Sequence, residues 1–293
     1  MHRDEGHGAS GSSGGAGTTL EQTTSLLRPS NPRHGPVAQL LITWAPLGAI
    51  VLVYWVAQWI SAPLGAGEGA ATNRLGFGLH VRGPADADRV LFGEVPTVWL
   101  QERLVDGSSH WYDAAAALVY VTHFVAIPVL TAVVWFRLRD QFTNWVLTVL
   151  AFTAVGVTGY VVYPAAPPWL ASEAGLIGGV ERISNLGWEH LGLDAVGALV
   201  ASGQEGSNPV AAMPSLHAGA ALLVALFLGR TAGAVSRVVL LTYAVAMALT
   251  LVYTGEHYVV DILAGWLTAV VAIVSGALLA RPPTEEHRAR ARA

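Results

Sequence analysis

Six stretches of this chain run without a single charged side chain for long enough to cross a bilayer. They extend from Val37 to Gly67 and between the bracketing charges Asp113–Arg137, Asp140–Glu173, Glu205–Arg230, Arg237–Glu256 and Asp261–Arg281. A hydrocarbon core about 30 Å thick needs about 20 apolar residues in a helix. Inside it every backbone N–H and C=O must be satisfied within the protein, which favours helices. Only 12% of the residues are charged, against roughly a quarter in soluble domains, so there is too little polar surface to keep the chain in water. The pattern predicts an all-α, polytopic integral membrane protein, a bundle of six transmembrane helices.

The first helix is expected over 37–61. The third must stop near Tyr163, because the run from Pro164 to Pro168 cannot continue a helix. The fifth and sixth lie at the short end of what spans. Residues 1–36, rich in Gly, Ser, Thr, Pro and His, predict a disordered tail with no cleaved signal. Residues 282–293 form a basic tail, and 37–281 one membrane-embedded domain. Two outer segments are too long to be plain connectors. In 62–112, Pro96 to Leu104 predicts a short interfacial helix; in 164–209, helix is expected around 180–201.

Arginine placement sets the orientation. Every one of the sixteen basic residues is arginine. With the N-terminus in the cytoplasm, Arg3, Arg28, Arg33, Arg137, Arg139, Arg230, Arg237, Arg281, Arg288, Arg290 and Arg292 fall inside, and Arg74, Arg82, Arg89, Arg103 and Arg182 outside. The excess inside predicts cytoplasmic termini in the cell membrane.

Composition also excludes chemistry. A net charge of −4 offers no footprint for nucleic acid, the absence of cysteine removes thiolates, and the absence of lysine removes Schiff bases and lysine phosphate ligands. What remains is a set of ionisable residues at span ends, where they are costly. His217 sits in Met213-Pro214-Ser215-Leu216-His217, opening the fourth helix; His257 and Asp261 open the sixth. In the expected topology all three face outward. On a helix His257 and Asp261, four apart, share a face. A carboxylate on one imidazole nitrogen fixes the tautomer and makes the other a better nucleophile or base, and a second histidine across the cleft is placed to protonate a leaving oxygen. Pro214 and Ser215 suit a helix start, whose free N–H groups attract phosphate. The bland readings are a structural His–Asp bond, or half of a metal site with Glu256 or His190 as a third ligand. His123, in the middle of the second helix with no partner in sequence, reads as a satisfied cavity residue.

Pro214-Ser215-Leu216-His217, with His257 and Asp261 about forty residues on, resembles the type-2 phosphatidate phosphatase superfamily, most closely its inositol-phosphotransferase branch, which includes inositol phosphorylceramide synthase. The resemblance covers 110–280, including the segment from Tyr163 to Trp169. It implies a phosphohistidine mechanism without metal or cofactor. His257 would attack a lipid phosphoester, Asp261 would orient it, His217 would protonate the leaving group, and Ser215 would bind phosphate oxygens. The donor would be a phospholipid or polyprenyl phosphate and the acceptor a polar alcohol or water. Two departures stand out. Pro164 to Trp169 carries no cation, and Leu251 occupies the place of an arginine six residues before the nucleophile. Arg182 is the expected replacement cation, with His190 second. The alternatives are a polyprenyl diphosphate or phosphatidate phosphatase of the same superfamily and, in another class, a proton-coupled transporter. The transporter reading fits less well, since the ionisable residues gather at one face and no repeat is visible.

Overall fold

The computed structural model describes residues 35–64 and 71–280. The tails expected over 1–36 and 282–293 fall outside these residues, apart from Gly35 and Pro36. So do seven of the eleven arginines expected inside.

The described residues form helices joined by irregular chain, with isolated backbone bridges but no strand. Helix α1 covers Pro36–Ser61, α2 Arg82–Phe92, α3 Pro96–Leu104 and α4 Trp111–Arg137. A single 3-10 turn leads into α5, Phe142–Val162. Three short helices follow: α6 Pro168–Glu173, α7 Leu186–His190 and α8 Asp194–Glu205. The chain closes with α9 Leu216–Gly229, α10 Ala234–Tyr253 and α11 Val259–Leu279.

Five of these, α1, α4, α5 with its 3-10 turn, α10 and α11, are long and apolar enough to cross a membrane. This is a multi-pass membrane protein. The fourth expected span is shorter than the charge-free stretch allowed. Helix α9 has 14 residues, about 21 Å at 1.5 Å per residue, because residues 206–215 form irregular chain instead of helix.

Helix α5 is the central element. Its Phe142, Trp145, Val146, Val149 and Phe152 are buried among Val134, Leu223, Phe227, Ala269 and Ala272. Trp145 packs edge-on against Phe227 at 4.8 Å and donates its indole N–H to Thr131 at 2.9 Å. Outward-facing apolar residues such as Leu52, Trp55, Phe136 and Leu267 form the surface that a bilayer covers.

Chain direction alternates from one long helix to the next, so the described connecting chain of 62–64, 71–110 and 163–215 and the turn 254–258 gather at one end. Gly35 and Ala280 lie at the other. The connections make a crown bonded to the helix ends. Asn73 donates to the Val161 carbonyl at 2.6 Å, while His80 donates its N–H to the Pro164 carbonyl and accepts the Ala166 N–H, at 2.9 Å each. The interfacial helix expected from Pro96 to Leu104 is present, but α2 was not foreseen. The helix expected around 180–201 is broken: 180–185 is not helical, and a turn at Leu191–Leu193 separates α7 from α8.

Helices α9 and α11 cross where both are glycine. A Cβ on Gly265 would collide with the Ser215 carbonyl oxygen, and one on Gly219 would meet the Gly265 carbonyl oxygen at 2.7 Å. Close backbone approach of this kind is how small residues join helices in lipid. Gly265→Ala is expected to lower thermal stability in detergent by about 1–3 kcal/mol. Gly48→Ala, where nothing lies within 4 Å of the added carbon, should leave the melting curve in place.

Candidate active site

The turn between α10 and α11 builds the first half of the site. Gly255 has φ +78°, a conformation that glycine adopts at little cost, and its missing side chain leaves room for the Glu181 carbonyl. The chain then folds back, so that the N–H groups of Glu256 and His257 both reach the Leu251 carbonyl, at 3.1 and 3.2 Å. Helix α11 starts at Val259 with Tyr258 as its N-cap, and Asp261, its third residue, accepts the Tyr258 N–H at 2.9 Å. His257 therefore stands just ahead of the helix. The shared helical face expected for His257 and Asp261 is replaced by a capping turn, which still points His257 Nδ1 at Asp261 Oδ2. Their separation of 3.6 Å is an ion-pair distance, longer than a hydrogen bond. Both side chains are buried, Asp261 completely.

The second half comes from α9. His217 is its second residue, and its Nδ1 lies 3.5 Å from His257 Nε2. The two rings stand 5.5 Å apart. Behind His217, two residues one helical turn apart on α4 close the wall. Tyr120 stacks at 5.5 Å and His123 packs at 3.9 Å. The sequence reading left His123 without a partner; the structure gives it His217. Tyr120 and His123 are three apart, a visible pairing signal, but nothing local tells which helix they face.

Both histidines line a cavity of about 290 Å³ with Tyr54, Trp169, Arg182, Gln204, Glu205 and Glu256 on its walls. Arg182 thus reaches the site, as expected, but already holds a partner. Its Nε and Nη2 donate to the two Glu256 oxygens at 2.9 Å each, and its guanidinium lies 5.3 Å from the Trp169 ring centre. Burial works against the charge on Arg182, yet the bonds and the charge of Glu256 outweigh it and hold its pKa above the usual guanidinium value. Glu256 also accepts from Ser184 Oγ at 2.7 Å and Gln204 Nε2 at 3.0 Å, and Gln204 reaches Tyr120 at 3.1 Å. From α3, Gln101 bonds to both the N–H and the C=O of Glu181 and to the Tyr253 carbonyl, 2.9 Å each, which pins the Arg182 segment to the end of α10. Sequence reading placed Glu256 only as a metal ligand and missed Gln204, since partners 52 residues apart carry no local signal.

Two expected residues lie elsewhere. Ser215 is fully buried; its hydroxyl caps α9 by accepting the Ala218 N–H at 3.3 Å, and its N–H donates to the Asp261 carbonyl at 2.9 Å. His190 sits exposed at the end of α7, near the Ser109 carbonyl at 3.3 Å, and does not line the cavity. Leu251 is wholly buried in apolar core and brings no cation. Among the described residues, no three His, Asp or Glu side chains gather as metal ligands would.

A helical membrane bundle that joins two histidines and a buried carboxylate at one end defines the class of protein. The chain belongs to the PAP2 superfamily, whose family model matches residues 86–275. It is also 30% identical over 169 residues to phosphoinositol dihydroceramide synthase of Bacteroides thetaiotaomicron, a match that covers 53% of this chain and 53% of that protein. The chain thus matches about half the length of this curated relative. Both findings agree with the inositol phosphorylceramide synthase-like branch read from the motifs. No solved structure matches significantly.

Removing Glu256 strands Arg182, Ser184 and Gln204. Glu256→Ala is expected to lower unfolding stability by about 2–4 kcal/mol, less than for a fully buried pair because Arg182 keeps some exposure. Replacing the pair with Arg182→Met and Glu256→Leu together should recover part of the loss, measured by thermal unfolding in the same detergent.

Proposed function

We propose that the protein is a lipid phosphotransferase that moves a phospho-headgroup from a phosphodiester lipid to an acceptor hydroxyl through a phosphohistidine on His257. The observation that carries this reading is the contact of His257 Nε2 with the His217 ring at the wall of the cavity. Asp261 faces Nδ1 of His257, which favours the tautomer with its proton on Nδ1 and leaves the Nε2 lone pair free to attack. In the first step that lone pair forms an N–P bond as the P–O bond to the leaving alcohol breaks, and His217 gives a proton to the departing oxygen. In the second, His217 takes the proton of the acceptor hydroxyl as its oxygen attacks phosphorus. The N–P bond then breaks and returns its electron pair to His257.

Charge supports a diester donor over a monoester. Arg182 is the arginine that lines the cavity, and Glu256 balances its charge. A phosphodiester brings one negative charge into this pocket and a monoester up to two, with no free cation at the motif positions to meet the second. Arg182 holds Glu256 through Nε and Nη2, beside the Tyr120 hydroxyl, and would meet a phosphate oxygen with a remaining N–H from the cavity side. The relative's name joins a phosphoinositol group to dihydroceramide. That supports inositol phosphate as the transferred headgroup, with a lipid or polar alcohol as acceptor. We place the active site at the outer face of the cell membrane with both termini inside, on the sequence's excess of arginine in the segments expected to be cytoplasmic.

Purified protein given labelled phosphoinositol lipid in EDTA is expected to pass label to an added alcohol. His257→Gln should lower the rate by about 10³-fold or more. Unchanged transfer in that variant would sink the mechanism, while hydrolysis without transfer would point to the phosphatase alternative. Because the chain has no cysteine, single cysteines report orientation. In intact cells an impermeant maleimide should label Ser108→Cys and not Thr231→Cys; the reverse pattern would invert the topology.

A further inference from the structure

Asp88 lies on α2, in the outer crown, and is completely buried. Its two carboxylate oxygens accept the N–H groups of Val259 and Val260, at 3.0 Å each. These are the first two residues of α11, whose opening N–H groups have no partner within the helix. Tyr258 offers no side-chain cap bond to its own helix. Asp261 covers the Tyr258 N–H, and Asp88, from 171 residues away in sequence, covers the next two. A carboxylate at a helix N-terminus also meets the positive end of the helix dipole. Burial pushes Asp88 up to about 6 while the two N–H bonds pull it down, so near neutrality the acceptor is the carboxylate. His257 precedes this capped turn by one residue.

We propose that Asp88 is a positioning residue for His257. It clamps the first turn of α11 from outside and so holds the capping turn that aims Nδ1 at Asp261 and Nε2 at the cavity. The consequence for catalysis rests on the transferase reading; the clamp itself does not. Residues Val90, Leu91 and Phe92, which follow Asp88 on the same helix, are exposed, so the clamp belongs to an arm whose far side meets lipid or solvent.

Full-length wild type, Asp88→Asn and Asp88→Ala are compared in detergent by amide hydrogen exchange and by transfer of labelled phosphoinositol lipid. In Asp88→Ala, peptides spanning 256–262 should exchange about tenfold faster while those of α5 stay protected. Asp88→Asn, which keeps one acceptor oxygen, should fall between. The kcat should drop by about 10²-fold in Asp88→Ala with little change in KM, because misplacement of about an ångström is enough for such a loss. Unchanged exchange at 256–262 overturns the clamp. Faster exchange throughout the bundle overturns it as well, since Asp88 would then serve general stability. Faster local exchange with full kcat overturns the positioning role. If wild type itself transfers nothing, the transferase reading fails, and exchange alone decides the clamp.

Discussion

The crossing of α9 and α11 is the contact on which the rest depends. Two glycines let the helices touch backbone to backbone, and the Ser215 N–H bonds to the Asp261 carbonyl across the gap. That one bond joins the two motif segments. With it in place, His217 and His257 follow at fixed offsets and their nitrogens come to 3.5 Å. Helix association in a bilayer draws little on the hydrophobic effect, because lipid tails are as apolar as leucine. The position of the histidines therefore rests on small-residue packing and on a few hydrogen bonds in a low-dielectric setting, where each bond is stronger and each omission costs more.

That setting explains the form of the polar network. A guanidinium and a carboxylate taken partly out of water are tolerable only when paired and fully bonded. Arg182 and Glu256 form two bonds, and Ser184 and Gln204 occupy further lone pairs of the carboxylate. Glu256 adjoins His257 in sequence, so the cation is anchored to the turn that carries the proposed nucleophile. Leu251 stands where the resemblance implies an arginine, and the arginine that does reach the cavity comes from a segment held by Gln101 of α3.

Much of the bundle was legible because the bilayer writes it in plain terms. Charge-free stretches located the long helices within a few residues, and the proline run marked the end of α5. His217, His257 and Asp261 could be grouped because ionisable residues at membrane depth are rare. What stayed hidden depends on contacts between distant segments. Asp88, Gln204 and Glu256 look like ordinary loop residues until the crown folds over the helix ends. His123 looks isolated on α4 because nothing in its own helix says that α9 begins beside it. Ser215 was legible as a helix cap, and that is the bond it makes. The capping turn keeps His257 and Asp261 at the same i, i+4 spacing that a shared helical face would use, so the sequence could not distinguish them.

The short α9 and the elaborate crown answer one constraint. His217 is the second residue of α9, yet it packs against His123, the thirteenth of α4. That places the start of α9 about 18 Å along α4 from its first residue. With 14 residues, α9 reaches back only about 21 Å, less than the hydrocarbon thickness. The non-helical chain before it therefore runs below the crown-side ends of its neighbours. Irregular backbone at such depth is tolerated only when buried in protein or lining a polar cavity. Residues 206–215 meet that condition through bonds to Ala165, through Asn208 to Ser61 on α1, and through Ser215 to α11. The proposed transfer from a lipid phosphoester, at the level where headgroup gives way to chain, calls for a site below the helix tops. The crown is what lets backbone descend that far and remain satisfied.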